Sequence, residues 1–222
     1  MAETPSSKAR RGRGRRAGLT RARVVEAARE LDPDKVTMQA VAQHLGVDRG
    51  SVHHHVSDVQ TLRELVAHDA FTTELSPVVI PDGADWREAC RLLAVSMYDA
   101  VIASEGFGVY IRLTSADIAV LEPVEQTLRI MLAAGFDEAT AARALATLAT
   151  LAGATAREHL LQQRAAGHPQ FPEFQQALAD APTADLPLLR HLAESAPLIY
   201  DETQLGIAID LLLDGLACRR KR

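Results

Sequence analysis

Three consecutive histidines, His53, His54 and His55, are the residues of this chain that most directly suggest chemistry. Imidazole nitrogens bind metal ions or donate hydrogen bonds to phosphates and base edges. Successive residues of a helix point about 100° apart, so three adjacent rings cannot converge on one tetrahedral ion. Metal-binding pairs on a helix are spaced i, i+4, a spacing that this run lacks. The pattern therefore favours hydrogen bonds to nucleic acid over a metal site, and no cofactor is expected.

Other reactive residues do not form a recognisable catalytic set. The chain contains no G-x-S-x-G, no Walker loop and no G-x-G-x-x-G motif. Four residues could be drawn as an acid–base group, but charged side chains on helices are usually solvated surface groups. They are Glu122, Glu125, Glu158 and His159. The sequence therefore does not support an enzyme.

Two short helices around a tight turn would position the histidines. Thr37 can cap a first helix, Gly46 suits the left-handed residue that ends it, and Asp48 can cap a second helix. This is the layout of a helix-turn-helix, whose second helix enters the major groove of DNA. The side chains expected to contact DNA here are Thr37, Gln39, Arg49, Gly50, Ser51, His53, His54 and His55.

The segment 37–58, TMQAVAQHLGVDRGSVHHHVSD, resembles the DNA-binding motif of the TetR family of bacterial transcriptional regulators. In that family a threonine opens the first helix, Ala-x-x-Leu-Gly-Val leads into the turn, and Tyr-x-His-Phe or Tyr-x-His-Val ends the recognition helix. His55 and Val56 match this ending, whereas His53 replaces the tyrosine and Val59 replaces a phosphate-binding lysine. The resemblance implies a homodimeric regulator, most commonly a repressor, that binds double-stranded operator DNA.

The charge of the chain is divided unequally along its length. Residues 1–30 carry nine Lys and Arg against three Asp and Glu, a net +6, whereas residues 31–222 carry fifteen against twenty-six, a net −11. Six of the basic residues lie between Lys8 and Arg16, in a segment with almost nothing to bury. Residues 1–17, including Arg15 and Arg16, are expected to be a disordered arm that lies along phosphates or in a minor groove. The alternative is that this segment is a solubilising tail, which would have the same composition.

Helical periodicity continues through the rest of the chain and predicts an all-α fold of two domains. The DNA-binding domain is expected to span residues 18–75. It has a first helix from Thr20 to Leu31, the two helices of the motif, and a connecting helix opened by a Ser57–Gln60 capping box. A larger domain spans residues 76–222. Its main helices are expected at 85–104, 118–134, 138–165 and 203–217, with short helices in an irregular stretch near 167–187.

From about Trp86 onward the chain resembles the ligand-binding and dimerisation domain of tetracycline-repressor-like proteins. The Gly135-Phe136 pair, the PLLR segment at 187–190 and the closing leucine-rich helix have counterparts there. In that family the two longest C-terminal helices form a four-helix dimer interface, which implies the helices near 138–165 and 203–217 here. The first helix carries a ladder of small residues that is equally compatible with packing inside one subunit. The ladder consists of Ala142, Ala146, Ala149, Ala152 and Gly153.

The same resemblance implies an effector pocket among the helices at 85–104, 107–131 and 138–165. Leu93, Met97 and Ile111 fall where the family's tetracycline–magnesium contacts would be, so those contacts do not carry over. The candidate ligand residues suggest a mostly apolar effector with few hydrogen bonds. They are Met97, Tyr110, Ile111, Thr114, Thr127 and Met131. The alternative is that these are only core residues.

Cysteine content and hydropathy favour the cytoplasm. Cys90 and Cys218 form no C-x-x-C pair, and the basic N-terminus lacks the apolar region of a secretory signal. The longest nearly uncharged run, 144–156, is too short to cross a bilayer, so no membrane partner is expected. The predicted function is transcriptional repression that a small molecule relieves. A DNA-binding protein of the same fold without an effector is the alternative.

Overall fold

The computed structural model describes residues 18–104, 107, 113–165, 167–182, 186–195 and 200–219, and no strand occurs among them. The α-helices are α1 (Arg21–Arg29), α2 (Met38–Leu45), α3 (Arg49–His53), α4 (Val59–Leu75), α5 (Trp86–Ala103), α6 (Glu122–Ala133), α7 (Glu138–Arg164), α8 (Gln170–Asp180), α9 (Pro187–Ser195) and α10 (Glu202–Ala217). Two 3-10 segments, Pro33–Lys35 and Ser115–Leu121, precede α2 and α6. The predicted all-α class is confirmed. No helix in these ranges combines the length and apolar character needed to span a bilayer.

The chain divides into two compact units, and the division falls between Leu62 and Arg63. The sequence predicts a later boundary, at residue 75. Since the division lies inside α4, this helix begins in the first unit and ends in the second. One continuous helix therefore connects the two units.

In the first unit, small aliphatic side chains hold α1, α2 and α3 together. One valine from each helix is completely buried: Val24, Val41 and Val52. The first helix ends at Arg29, whereas the prediction extended it to Leu31. Pro33 opens the first 3-10 segment and disfavours helical backbone at Asp32, but the helix has already ended before that residue.

The first turn of α4 departs from the predicted capping box between Ser57 and Gln60. The helix begins at Val59, and the carboxylate of Asp58 accepts from the Thr61 backbone N–H at 2.8 Å and from the Thr61 hydroxyl at 2.9 Å. The Ser57 hydroxyl also donates to this carboxylate, at 2.7 Å. These hydrogen bonds favour the charged form and lower the pKa of Asp58 to about 2. The cap is therefore a carboxylate one residue later, which also suits the positive end of the helix dipole.

In the second unit, α5, α6, α7 and α10 surround the main apolar core. As predicted, Asp137 caps α7: its carboxylate accepts from the Thr140 backbone N–H at 2.9 Å. The rings of Trp86 and Phe136 meet edge to face, with centroids 4.9 Å apart. Pro123 lies in the first turn of α6, so it starts this helix and does not kink it. The most completely buried large side chains of the second unit are Leu75, Leu93, Tyr98, Met131, Leu148, Leu205, Ile209 and Leu213.

A smaller apolar cluster in the second unit joins the C-terminal end of α4 to α5. Leu75, Ala100 and Val120 are its buried residues, and Phe71 and Met97 pack against them. Met97 also packs against the main core. The end of the connecting helix is therefore packed on the same helix that carries a predicted ligand residue.

Candidate DNA-binding surface and ligand region

The turn between α2 and α3 has the geometry that its sequence predicts. Gly46 ends α2 in the left-handed conformation, at φ 66° and ψ 31°. Thr37 caps α2 by accepting from the Ala40 N–H at 3.0 Å. Asp48 caps α3 by accepting from the Ser51 N–H at 2.9 Å. These hydrogen bonds confirm both predicted helix starts. The starts could be predicted from the sequence because each cap bonds to a residue within four positions of itself.

The candidate DNA contacts of this motif lie mainly on its solvent-facing surface. Val52 and Val56 point inward and are buried. Gln39 on α2 and the residues on either side of Val52 on α3 face outward instead. The exposed candidates are Thr37, Gln39, Arg49, Gly50, His53 and His54, while Ser51 and His55 are half-buried.

His53 supports Arg49, a role that the sequence pattern alone did not reveal. The Arg49 Nε–H donates to His53 Nε2 at 3.1 Å, so this ring nitrogen must be unprotonated. The other nitrogen, Nδ1, then carries the proton and donates to the carbonyl of Ser57 at 3.0 Å. The neutral imidazole therefore joins the end of α3 to the guanidinium group. The i, i+4 spacing of Arg49 and His53 is the signal that could have shown this pair.

Some predicted contacts fall on residues that the structure does not describe. Arg15 and Arg16, with the rest of the basic arm at 1–17, lie outside the described residues. So do Tyr110 and Ile111 of the candidate ligand set. Among the residues that are described, no group of three or more His, Cys, Asp or Glu could hold a metal ion.

The four described ligand candidates have different environments. Thr127 and Met131 are completely buried, and Met97 is half-buried. The hydroxyl of Thr127 donates to the carbonyl of Pro123 within α6, at 2.8 Å. Thr114, in contrast, is exposed and caps the second 3-10 segment. Met97 and Met131 share the main core, whereas Thr114 lies at a surface turn.

A buried cysteine lies beside Met131. The Cys90 thiol is 3.7 Å from the sulfur of Met131, and burial raises its pKa to about 12. The thiol is therefore neutral and not a nucleophile at physiological pH. The thiol and Met131 belong to the same apolar core.

Tyr98 is a buried polar residue of the same domain that no sequence motif singles out. Its side chain is 2% exposed, and its hydroxyl is hydrogen-bonded to Nδ1 of His159 on α7. Burial, followed by the charges of Glu202 and Asp201, raises the pKa of Tyr98 to about 12, so the phenol is the donor. The second ring nitrogen of His159 lies 2.8 Å from the Gln163 amide.

The acid–base group considered from the sequence is not assembled. His159 pairs with Tyr98, while Glu158 lies 2.9 Å from the ring of His168. Glu122 and Glu125 both lie near Arg129, at 4.0 and 3.2 Å. These carboxylates are engaged in local pairs, in keeping with the interpretation as surface groups.

A histidine of α4 lies beside a carboxylate of the second 3-10 segment. His68 Nε2 lies 3.0 Å from Asp117 Oδ2. The same carboxylate accepts from the Thr114 hydroxyl and the Thr114 backbone N–H, both at 2.7 Å. These bonds from Thr114, and then the contact with His68, lower the pKa of Asp117 to about 2. The carboxylate of Asp117 therefore contacts both Thr114, a ligand candidate, and α4, the connecting helix.

The predicted dimer helices carry exposed small and apolar side chains. On α7, Ala142, Ala146 and Ala149 are exposed, whereas Ala152 and Gly153 are buried, so part of the small-residue ladder packs inside the subunit and part lies on its surface. On α10, Ile207 is 52% exposed and Leu211 is 70% exposed. A groove of about 360 Å³ lies between the two helices and is lined in part by Ala144, Thr147 and Leu211.

Comparison with known proteins finds similarity to TetR-like proteins in both sequence and structure. Residues 80–220 match the family model described as "Tetracyclin repressor-like, C-terminal domain". A possible TetR family transcriptional regulator from Streptomyces coelicolor A3(2) has a TM-score of 0.74 at 23% identity, covering 90% of this chain and 100% of that chain. ActR from Streptomyces coelicolor in complex with actinorhodin has a TM-score of 0.69 at 23% identity, covering 93% and 99%. TetR from Acinetobacter baumannii AYE has a TM-score of 0.64 at 20% identity, covering 92% and 100%. None of the curated proteins matches.

Proposed function

This chain belongs to the TetR family of transcriptional regulators, and from that premise we propose that it is a cytoplasmic repressor released from its operator by a small, mostly apolar molecule. The observation that carries the DNA-binding part is the Arg49–His53 pair on the outer face of α3. An arginine can bind guanine O6 and N7 with two hydrogen bonds. The neutral ring of His53 holds the guanidinium near the N-terminal half of the recognition helix, where base contacts are made.

The experiment begins with selection of an operator by the full chain from a random-sequence DNA library. Fluorescence anisotropy then compares wild type, Arg49→Ala and Arg49→Lys on the selected site and on its single-base variants. Loss of a bidentate arginine contact is worth about 1–3 kcal/mol of discrimination, or about 5- to 150-fold. The alanine variant should lose this preference at one position of each half-site. The lysine variant should keep the salt dependence but lose most of the preference.

Arg129→Ala is the matched control, because it removes the same charge from an exposed ion pair on α6. It should bind DNA as the wild type does. Failure of the wild-type chain to select any sequence would contradict the regulatory function. Unchanged base preference in Arg49→Ala would contradict only the assignment of this residue.

The effector part of the proposal is supported by one solved relative and by the core of the second unit. ActR has been crystallised with actinorhodin, a small-molecule complex within the same fold. In this chain, the surroundings of Met97 and Met131 are apolar, and Thr127 is a polar group at that position. A regulator without an effector remains the second candidate, because Thr127 and Met131 are also fully buried core residues.

Dimerisation through α7 and α10 is part of the same proposal. Two recognition helices must lie about 34 Å apart to enter successive major grooves, which one subunit cannot achieve. Ile207 and Leu211 on α10 and three alanines on α7 are exposed in the subunit, and a second copy would cover apolar side chains of this kind.

Coupling between effector and DNA is assigned to α4. This helix is continuous from Val59 to Leu75, and within the second unit it contacts Asp117 through His68. An effector that moves the segment around Thr114 and Asp117 would therefore bias the position of α4. It shifts the population of DNA-competent dimers only by its difference in affinity for the two states.

A further inference from the structure

A cavity lies at the N-terminal end of α8, separate from the residues proposed for the effector. Its volume is about 490 Å³, within the usual range of about 300–1,000 Å³ for small-molecule sites. It shares no lining residue with the effector set. The lining consists of His168, Gln170, Phe171, Glu173, Phe174 and Tyr200.

The ring of His168 and the backbone of Tyr200 are held by hydrogen bonds to α7. The rings of His168 and Tyr200 pack with centroids 5.2 Å apart. The Tyr200 backbone N–H donates to Gln162 Oε1 at 3.1 Å, and His168 Nε2 lies 2.9 Å from the Glu158 carboxylate. These bonds order two walls of the cavity before any ligand binds, which lowers the entropic cost of binding.

The polar contacts of His168 are made outside the cavity's carboxylate, Glu173. The Gln170 backbone N–H donates to His168 Nδ1 at 3.3 Å. His168 Nε2 donates to Glu158 at 2.9 Å. His168 is therefore paired with Glu158 and not with Glu173.

The helix end itself does not favour an anion. The Gln170 N–H is occupied by His168 Nδ1, and the Phe171 N–H donates to the His168 carbonyl at 3.0 Å. Pro172 has no N–H to offer. Glu173, in the first turn, adds a negative charge where an anion would otherwise be attracted. None of the described residues that line the cavity is Lys or Arg.

From this arrangement we infer that the cavity binds an organic cation with an aromatic or alkyl body. Phe171, Phe174 and Tyr200 offer ring surfaces, and a cation within about 6 Å of a ring centroid is attracted to the ring face. Glu173 adds a direct charge attraction. A neutral apolar ligand would gain no such attraction from this carboxylate. An anion would be repelled by it, with no basic residue in the described lining to offset the repulsion.

Isothermal titration calorimetry of the full chain tests this site with three probes of similar size. They are phenyltrimethylammonium, its neutral isostere tert-butylbenzene, and the anion benzoate. The ammonium compound should bind measurably more tightly than the neutral isostere, and benzoate should not bind. Phe171→Leu should weaken the ammonium compound about 2- to 30-fold. Glu173→Gln should weaken it about 2- to 5-fold.

Tyr200→Phe, which keeps the ring, should retain binding, and so should Glu194→Gln, which removes an exposed carboxylate on α9. Circular dichroism melts of each variant separate loss of the site from loss of the fold. Equal affinity for the neutral isostere would overturn the cation assignment. Wild-type affinity in both Phe171→Leu and Glu173→Gln would show that the probe binds elsewhere. No DNA is present in this test, so its outcome is distinct from that of the proposed function.

Discussion

Replacing Gly46 measures the free-energy cost of its left-handed backbone without a change in side-chain packing in the helix-turn-helix. This residue ends α2 at φ 66°, and a Cβ added there would meet no heavy atom within 4 Å. The whole penalty of Gly46→Ala must therefore come from the left-handed backbone, which costs an L-residue about 1–2 kcal/mol. The lower entropy of alanine in the unfolded chain offsets about 0.4–1 kcal/mol of this. We expect a net destabilisation of about 1 kcal/mol.

Hydrogen–deuterium exchange of peptides covering α2 and α3 is the assay, because it reports local opening. A loss of about 1 kcal/mol increases the open population, and with it the exchange rate, about fivefold. Gly46→Asn should exchange more slowly than the alanine variant, since asparagine adopts this conformation more readily, and Gly46→Val should exchange faster. Gly206→Ala is a matched control inside α10, where the added Cβ also meets no atom within 4 Å. It should slow local exchange there, because alanine is favoured over glycine in a helix interior by about 0.5–1 kcal/mol.

Equal exchange in the alanine, asparagine and valine variants would refute this reasoning, because the three residues differ in their tolerance of positive φ. A loss well above about 3 kcal/mol in Gly46→Ala would also refute it, since the left-handed backbone imposes no conformational penalty of that size.

Four further predictions concern DNA, assembly, effector coupling and pH. Deleting residues 1–16, which include six Lys and Arg, should flatten the slope of log K against log salt by about 0.9 for each phosphate that the arm neutralises; an unchanged slope would show that the arm does not bind DNA. Leu211→Glu should convert dimers to monomers in sedimentation velocity, because it places a carboxylate at a position that is 70% exposed in the subunit; persistent dimers would contradict an interface through α10. Saturating operator should weaken the effector by the factor with which the effector weakens operator, and equal affinities in calorimetry with and without DNA would remove the coupling. The pKa of Asp58 is lowered from 3.8 to about 2 on folding, so its contribution to stability is present above pH 3.8 and is lost as the pH falls towards 2; Asp58→Asn should show less acid destabilisation in urea melts over that window, and an identical pH profile would argue against this cap.

The helix boundaries of the DNA-binding motif could be predicted from the sequence because they are set within a few residues. Thr37 and Asp48 each accept from a backbone N–H three residues later, and Gly46 adopts the one conformation that other residues avoid. The same holds for Asp137 at the start of α7. The outward side of α3 followed from the spacing of Val52 and Val56 alone. The all-α class and the order of the helices needed no tertiary information.

Some local features were decided only by the folded structure. The sequence predicts a Ser57–Gln60 capping box for α4, but Asp58 accepts the capping bonds, from Thr61. The alanines of α7 form a single ladder in the sequence, but Ala149 is exposed while Ala152 is buried. Periodicity identifies a face of a helix, whereas the neighbouring helices decide how much of that face is covered.

Pairings between distant parts of the chain came only from the tertiary structure. Tyr98 and His159 are 61 residues apart and share a hydrogen bond, which no local pattern in either helix indicates. His68 and Asp117 likewise meet only because α4 and the second 3-10 segment pack together. Side chains so far apart in the chain are brought together by the burial of apolar surface around them. For Tyr98 and His159, this is the packing of α5 against α7. Local hydrogen bonding determines where each helix begins and ends, and the shared core determines which polar groups face one another.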